Sequence, residues 1–172
     1  DDGIEWFGGT VNTTNALMWN VGDDGVDTDQ SWSGTLDNFI VVTPTGHCFE
    51  LDGPEGTYEN GHTIKNGSVI VSDLANGRFS EDIINTDENS IVDLENIFLA
   101  SIGEGQVINR TEHSPGTVNF TNIKLDVTGN IEDFIADGEP NPNGITAGGS
   151  PVADKSVFSW TWAAQAGGLD DI

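Results

Sequence analysis

Turn-forming residues interrupt this chain every eight to fifteen positions, from Gly8-Gly9 and Gly22–Gly25 through Asp52-Gly53-Pro54, Asn60-Gly61, Asn66-Gly67 and Asn76-Gly77 to Gly148-Gly149. Strands of four to eight residues fit between such signals. The intervening runs are rich in Val, Ile, Phe, Thr and Trp. The spacing predicts strands at 4–11, 16–21, 36–42, 48–51, 69–72, 107–110, 117–127 and 156–162. It points to an all-β fold, an immunoglobulin-like or jelly-roll β-sandwich of about seven to nine strands. Asn60-Gly61 and Asn66-Gly67 suit tight hairpin turns, where positive φ is required.

Alternation sets the expected faces. Leu17, Trp19 and Val21 share one side of their run, and Phe158, Trp160 and Trp162 share one side of theirs. Within 117–127 the parity changes, from Val118 and Phe120 to Ile123, Leu125 and Val127, which a bulge near Thr121-Asn122 reconciles. Residues 90–102 fit either a strand or a helix carrying Ile91, Leu94 and Phe98 on one face. Residues 137–151 read as a long Pro/Gly loop, and 163–172 as a tail that frays along with the first few residues.

Twenty-nine acidic residues against five basic ones leave a formal charge of −24 on 172 residues. Such a surface repels phosphate backbones and anionic lipid, which excludes nucleic-acid and membrane-surface partners. It suits a saline or calcium-rich medium that screens the repulsion, and hence an extracellular or cell-surface location. No run approaches the length of a membrane span, and the start at Asp1 reads as a mature, processed chain. Cys48 is alone, so no intramolecular disulfide forms; its alternation with Phe49 and Leu51 reads as a small buried hydrophobe. Sequons at Asn12, Asn66, Asn109 and Asn119 are glycosylation candidates in a secreted protein.

Asp23, Asp24, Asp27 and Asp29 form the densest acidic cluster, and carboxylates around a Gly turn can converge on Ca²⁺, which takes about six to eight oxygens. Asp82, Asp87 and Glu88 form a lesser cluster, while His47, His62 and His113 are too scattered to mark a zinc site. No motif of nucleophilic, phosphate-binding or metalloprotease chemistry occurs, so the reading is non-enzymatic. Trp32, between Ser31 and Ser33, is the tryptophan best placed for exposure and the candidate for stacking on a sugar ring, set against the favoured reading of a buried structural tryptophan.

The amino terminus carries a family resemblance. Ile4, Trp6, Gly8 and Thr10 alternate on one side of 4–11, followed by Met18-Trp19-Asn20-Val21-Gly22. This resembles the opening strand of fimbrial subunits assembled by the chaperone–usher route. The resemblance implies an incomplete immunoglobulin-like sandwich whose opening strand completes the next subunit, with Gly8 in the shallow pocket of the acceptor groove. It divides the chain into a donor-strand segment (1–11), a sandwich (12–162) and a tail (163–172). The expected function is an extracellular filament subunit whose partner is itself. The alternatives are a secreted calcium-dependent carbohydrate-binding or adhesin module, with a glycan ligand, and a virion capsid or spike protein.

Overall fold

The computed structural model describes residues 1–87, 89–109, 117–136 and 143–172. Its strands are β1 (Glu5–Phe7), β2 (Thr13–Trp19), β3 (Val26–Asp29), β4 (Thr35–Val42), β5 (Phe49–Leu51), β6 (His62–Ile70), β7 (Ile84–Thr86), β8 (Ile91–Ala100), β9 (Ile108–Asn109), β10 (Thr117–Leu125) and β11 (Ile145–Ala147). From β1 to β10, successive strands fall alternately into two sheets, and β11 joins the sheet of β10. The shorter sheet has the order β1-β3-β5-β7-β9, and the longer one β2-β4-β6-β8-β10-β11. Each of the nine ladders between these strands is parallel. The chain therefore winds as a parallel β-solenoid, each coil stacking on the one before.

Side-chain alternation packs the interior. Val26, Phe49, Ile84 and Ile108 stand in register across the shorter sheet and are buried. Facing them, Leu36, Ile64 and Leu94 stack across the longer sheet, with Phe39, Val41 and Leu99 further along. Burial of each such side chain contributes about 1.5–3 kcal/mol. An inward residue has its counterpart one coil above and below, so the core is a set of columns.

The longer sheet bends at a row of asparagines. Asn15, Asn38, Asn66, Asn96 and Asn122 all adopt left-handed backbone, φ between 50° and 60°. Each sits where the paired register skips a residue, as between Asp37↔Lys65 and Phe39↔Gly67. Their amides link the coils: Asn38 Nδ2 donates to Asn15 Oδ1 (2.7 Å), Asn96 Nδ2 to Asn66 Oδ1 (2.8 Å) and Asn122 Nδ2 to Asn96 Oδ1 (2.8 Å), while Asn66 Nδ2 turns to Asp37 Oδ1 (2.7 Å). Asparagine tolerates this conformation because its short polar side chain bonds locally. The bend switches which parity points inward, so Val118 and Phe120 are followed by Ile123 and Leu125 in the core. The bulge expected at Thr121-Asn122 is this bend, and it recurs along the sheet.

Residues 148–172 return as a strap across the outer face of the longer sheet. Val152 and Ala153 donate to Ser68 Oγ (2.9 and 3.0 Å), Asp154 N donates to Asn38 Oδ1 (2.7 Å), and Lys155 Nζ donates to Leu169 O (3.0 Å). A short 3₁₀ turn (Lys155–Phe158) and helix α1 (Trp162–Gln165) place Phe158, Ala163, Leu169 and Ile172 on Ile40 and Val42, forming a second core.

These observations correct several expectations. The fold is all-β, but a parallel solenoid and not an immunoglobulin-like or jelly-roll sandwich. Strand length and turn spacing are alike in the two architectures; the difference lies in which strands pair. Asn66-Gly67 makes no hairpin. It lies inside β6, where positive φ serves the bend and a Cβ on Gly67 would fall 2.0 Å from Phe39 Cζ. Residues 91–100 form strand β8, and Phe158–Trp162 form no strand. The tail is packed, not frayed, with Leu169 and Ile172 buried. Part of the expected 137–151 loop, residues 137–142, lies outside the described residues, and 145–147 form β11.

Candidate functional site

The outer face of the shorter sheet gathers the acidic residues. Alternation that turns Val26 and Thr28 inward turns Asp27 outward. The same holds for Glu5 on β1 and Glu50 on β5, and the three are register partners across adjacent strands, continued by Asn85 on β7. Neighbouring strands lie about 4.8 Å apart, so the register stacks three carboxylates in one line. Phe7 and Asp29 form the next outward pair, and Asp52 extends β5 beside them through its N–H bond to Thr28 O (2.8 Å).

Like charges opposite one another destabilise a sheet, and the ionisation of these groups reflects it. Burial pushes the Asp27 carboxyl up to about 8, helped by the charges of Asp29, Glu50, Asp2 and Glu5. Burial also raises Glu50 to about 8, followed by its contact with Asp24 and the charges of Asp24 and Asp52, with His47 opposing. Lost hydration and the charges around them hold Glu5 and Asp29 above the ordinary range. Carboxylate oxygens of Asp2, Glu5 and Asp27 lie within 4.8 Å of one another, as do those of Asp2, Asp23 and Asp24.

At one end of this face His47 is enclosed by acids. Its Nδ1 lies 2.9 Å from Asp24 Oδ1 and 3.8 Å from Glu50 Oε1, and its Nε2 lies 3.5 Å from Glu81 Oε2. Burial disfavours the imidazolium, but the Asp24 bond and the charges of Asp24, Glu50 and Glu81 outweigh it and raise the pKa above its ordinary value. Burial likewise opposes ionisation of Asp24, and the hydrogen bonds from the His47 ring and backbone N–H outweigh it, leaving this carboxyl below its usual range.

A family model described as a pectate-lyase-like beta helix domain matches residues 1–155. The chain belongs to this family. No curated protein and no solved structure matches it. Membership in the β-helix family overturns the resemblance to chaperone–usher subunits and, with it, donor-strand complementation. In this β-helix domain Trp6 is buried within its own molecule, Gly8 N donates to Asp29 O (2.9 Å), and Ile4 O accepts from Asp27 N (2.9 Å), while Thr10 is exposed. The strand pairs at home, in parallel with β3.

The other expected site residues separate. The predicted cluster is not a single loop site: Asp23 and Asp24 group with Asp2, Asp27 with Asp2 and Glu5, while Asp29 stands beside Phe7. Trp32 is the buried structural tryptophan and not the sugar-stacking one, being 1 % exposed with its Nε1 donating to Val11 O (3.0 Å), so it has no face to offer a sugar. Trp160 and Trp162, expected on one strand face with Phe158, are exposed while Phe158 is buried. Of the sequon asparagines, Asn12 is exposed and accepts from Thr35 N (2.9 Å), Asn119 donates to Asp93 (2.8 Å), Asn66 belongs to the ladder, and Asn109 ends β9. His62 is buried against Trp32, ring centroids 5.0 Å apart, and burial lowers it to about 4. Glu88 and His113 lie outside the described residues. Among the described residues no helix is long and apolar enough to cross a membrane. Glu5, Glu50 and Asp2 were missed as partners of Asp27 because they come from other coils or the leading segment; a coil-by-coil alignment of outward residues is the signal that finds them.

Proposed function

We propose that this β-helix domain is an extracellular, divalent-cation-dependent glycan-binding module that uses the outer face of its shorter sheet. The observation that carries the reading is the grouping of Asp2, Glu5 and buried Asp27 within 4.8 Å. Three carboxylates this close need protons or a cation to relieve their repulsion, and Ca²⁺ accepts such oxygen donors in flexible geometry. A cation held there presents open coordination positions to the acidic or hydroxyl groups of a sugar chain. Two exposed aromatic rings support the same reading: Phe7 on β1 and Tyr58 in the loop after β5, 71 % and 67 % exposed. Such rings stack on sugar faces, and the charge of −24 suits a calcium-rich medium.

Calorimetric titration with an acidic and a neutral polysaccharide, with and without calcium, tests it. Binding is expected to require calcium and to disappear in Asp27→Asn. Binding that persists in chelator would remove the cation from the account, and failure to bind any polysaccharide would end the glycan reading.

Cleavage is a second reading, favoured by Asp27 and Glu50. They are register partners with carboxyls pushed up to about 8, suited to proton transfer near neutral pH. It predicts new reducing or unsaturated ends on a bound polymer, lost in Glu50→Gln.

A further inference from the structure

We propose that Asp24, His47 and Glu50 form a binding centre for a divalent transition metal of the zinc class, distinct from the oxygen-only group at Asp2, Glu5 and Asp27. One ligand atom from each of Asp24, His47 and Glu50 lies within 4.8 Å of the others, and His47 Nδ1 is 2.9 Å from Asp24 Oδ1 and 3.8 Å from Glu50 Oε1. Ligand atoms that share one zinc ion at about 2.0–2.2 Å lie about 3–4 Å apart, and both distances from His47 Nδ1 are close to that range.

The other ring nitrogen supplies an independent indication. His47 Nε2 faces Glu81 Oε2 at 3.5 Å. Nδ1–H bonds Asp24 in this structure, and a metal would take the place of that proton while Nε2–H stays toward Glu81, as a metal-bound histidine characteristically gives its second N–H to a carboxylate. The backbone holds the set in place: His47 N–H donates to Asp24 Oδ1, and Gly25 N–H donates to His47 O (2.8 Å). Asp24 comes from one coil and His47 with Glu50 from the next, so a bound ion would staple two coils. Three carboxylates surround one imidazole, leaving excess negative charge for a divalent ion to neutralise. The imidazole favours zinc, cobalt or nickel over calcium and magnesium, which prefer oxygen alone.

The proposal goes beyond the glycan reading and does not depend on it. Full-length protein stripped with chelator is titrated with zinc chloride by calorimetry, with cobalt(II) as the spectroscopic probe and melting curves recorded in parallel. Saturable binding of a single ion, with a cobalt spectrum indicating nitrogen ligation and a raised melting temperature, is expected. Glu81→Gln should weaken zinc about tenfold, and His47→Gln more. Glu50→Gln, which keeps the His47–Asp24 pair, should also weaken it, while Asp27→Asn should leave zinc binding unchanged even though it abolishes calcium binding. Absence of saturable zinc binding would overturn the proposal, as would equal binding by His47→Gln or Glu50→Gln. Loss of zinc in Asp27→Asn would also overturn it, placing the ion on the acidic group instead. The glycan reading fails separately, through the calcium and polysaccharide titrations.

Discussion

Trp6 and Trp32 stack nearly face to face, with ring centroids 4.2 Å apart and planes 7° from parallel. Trp6 projects inward from β1 and Trp32 from the turn between β3 and β4, so the pair ties the first coil to the second. Replacing Trp32 with Ala should cost about 3–5 kcal/mol in chemical denaturation, the range for emptying a large buried aromatic site. The near-ultraviolet circular dichroism of the coupled indoles should vanish with it. A variant as stable as the parent would place Trp32 outside the core.

The acidic face makes stability fall as pH rises. Asp27 and Glu50 titrate at about 8 when folded, well above their ordinary values near 4. The folded protein therefore holds more protons between those limits. Their contribution is fully present below about 4 and is lost as pH climbs through about 8, with a slope of at most about 1.4 kcal/mol per pH unit for each group. In chelator, the melting temperature should decline from pH 5 to pH 8; in millimolar calcium the decline should flatten. A midpoint that rises over this interval in chelator would contradict the raised values.

The asparagine row makes a conformational prediction. Asn96→Ala removes the amide bridge between Asn66 and Asn122 and forces a Cβ-bearing residue without a local hydrogen bond to hold φ near 52°. A loss of about 2–4 kcal/mol is expected. Asn96→Gly, which keeps the backbone freedom, should recover about 1 kcal/mol of it. Asn66 offers a chemical readout of the same row. In a glycosylating host, mass spectrometry should find its sequon unmodified, because its Nδ2 is engaged with Asp37.

Cys48 is fully buried, and burial pushes its thiol up to about 12. Native protein should react with thiol reagents only at the rate of unfolding. Cys48→Ala should cost about 1–2 kcal/mol without changing metal or glycan binding. Rapid labelling of the native chain would show the thiol to be accessible.

Strands were legible in the sequence where alternation is long. The runs at 36–42 and 117–127 correspond closely to β4 and β10, and the parity change at Asn122 marks a real bend. Pairing was hidden, because hairpin and coil use the same short strands and the same turn residues. Asn66-Gly67 shows the ambiguity: positive φ serves either a hairpin turn or a mid-strand bend, and only Asn38 and Asn96, one coil away on each side, distinguish them. Trp32 was the candidate for exposure because Ser31 and Ser33 flank it, yet it takes the buried structural role that was the favoured reading, and Ser31 is itself buried with its hydroxyl donating to Tyr58 O (2.8 Å). Asp27 was found, but its partner Glu50 was not, since register lies in three-dimensional stacking and a cluster in sequence need not be one in space.

The hydrogen bonds between Asn38 and Asp154 join residues 116 positions apart. Contacts between adjacent coils span a single winding, so a solenoid is assembled by neighbours and frays from its ends. The strap joins its own late segment to the second coil, and that contact forms only when every winding between has been laid down at the right height. A missing, extra or slipped winding would displace Asp154 from Asn38 and Val152 from Ser68. The strap thus acts as a gauge of the number of windings it spans, and it converts their step-by-step stack into a body that opens as a whole.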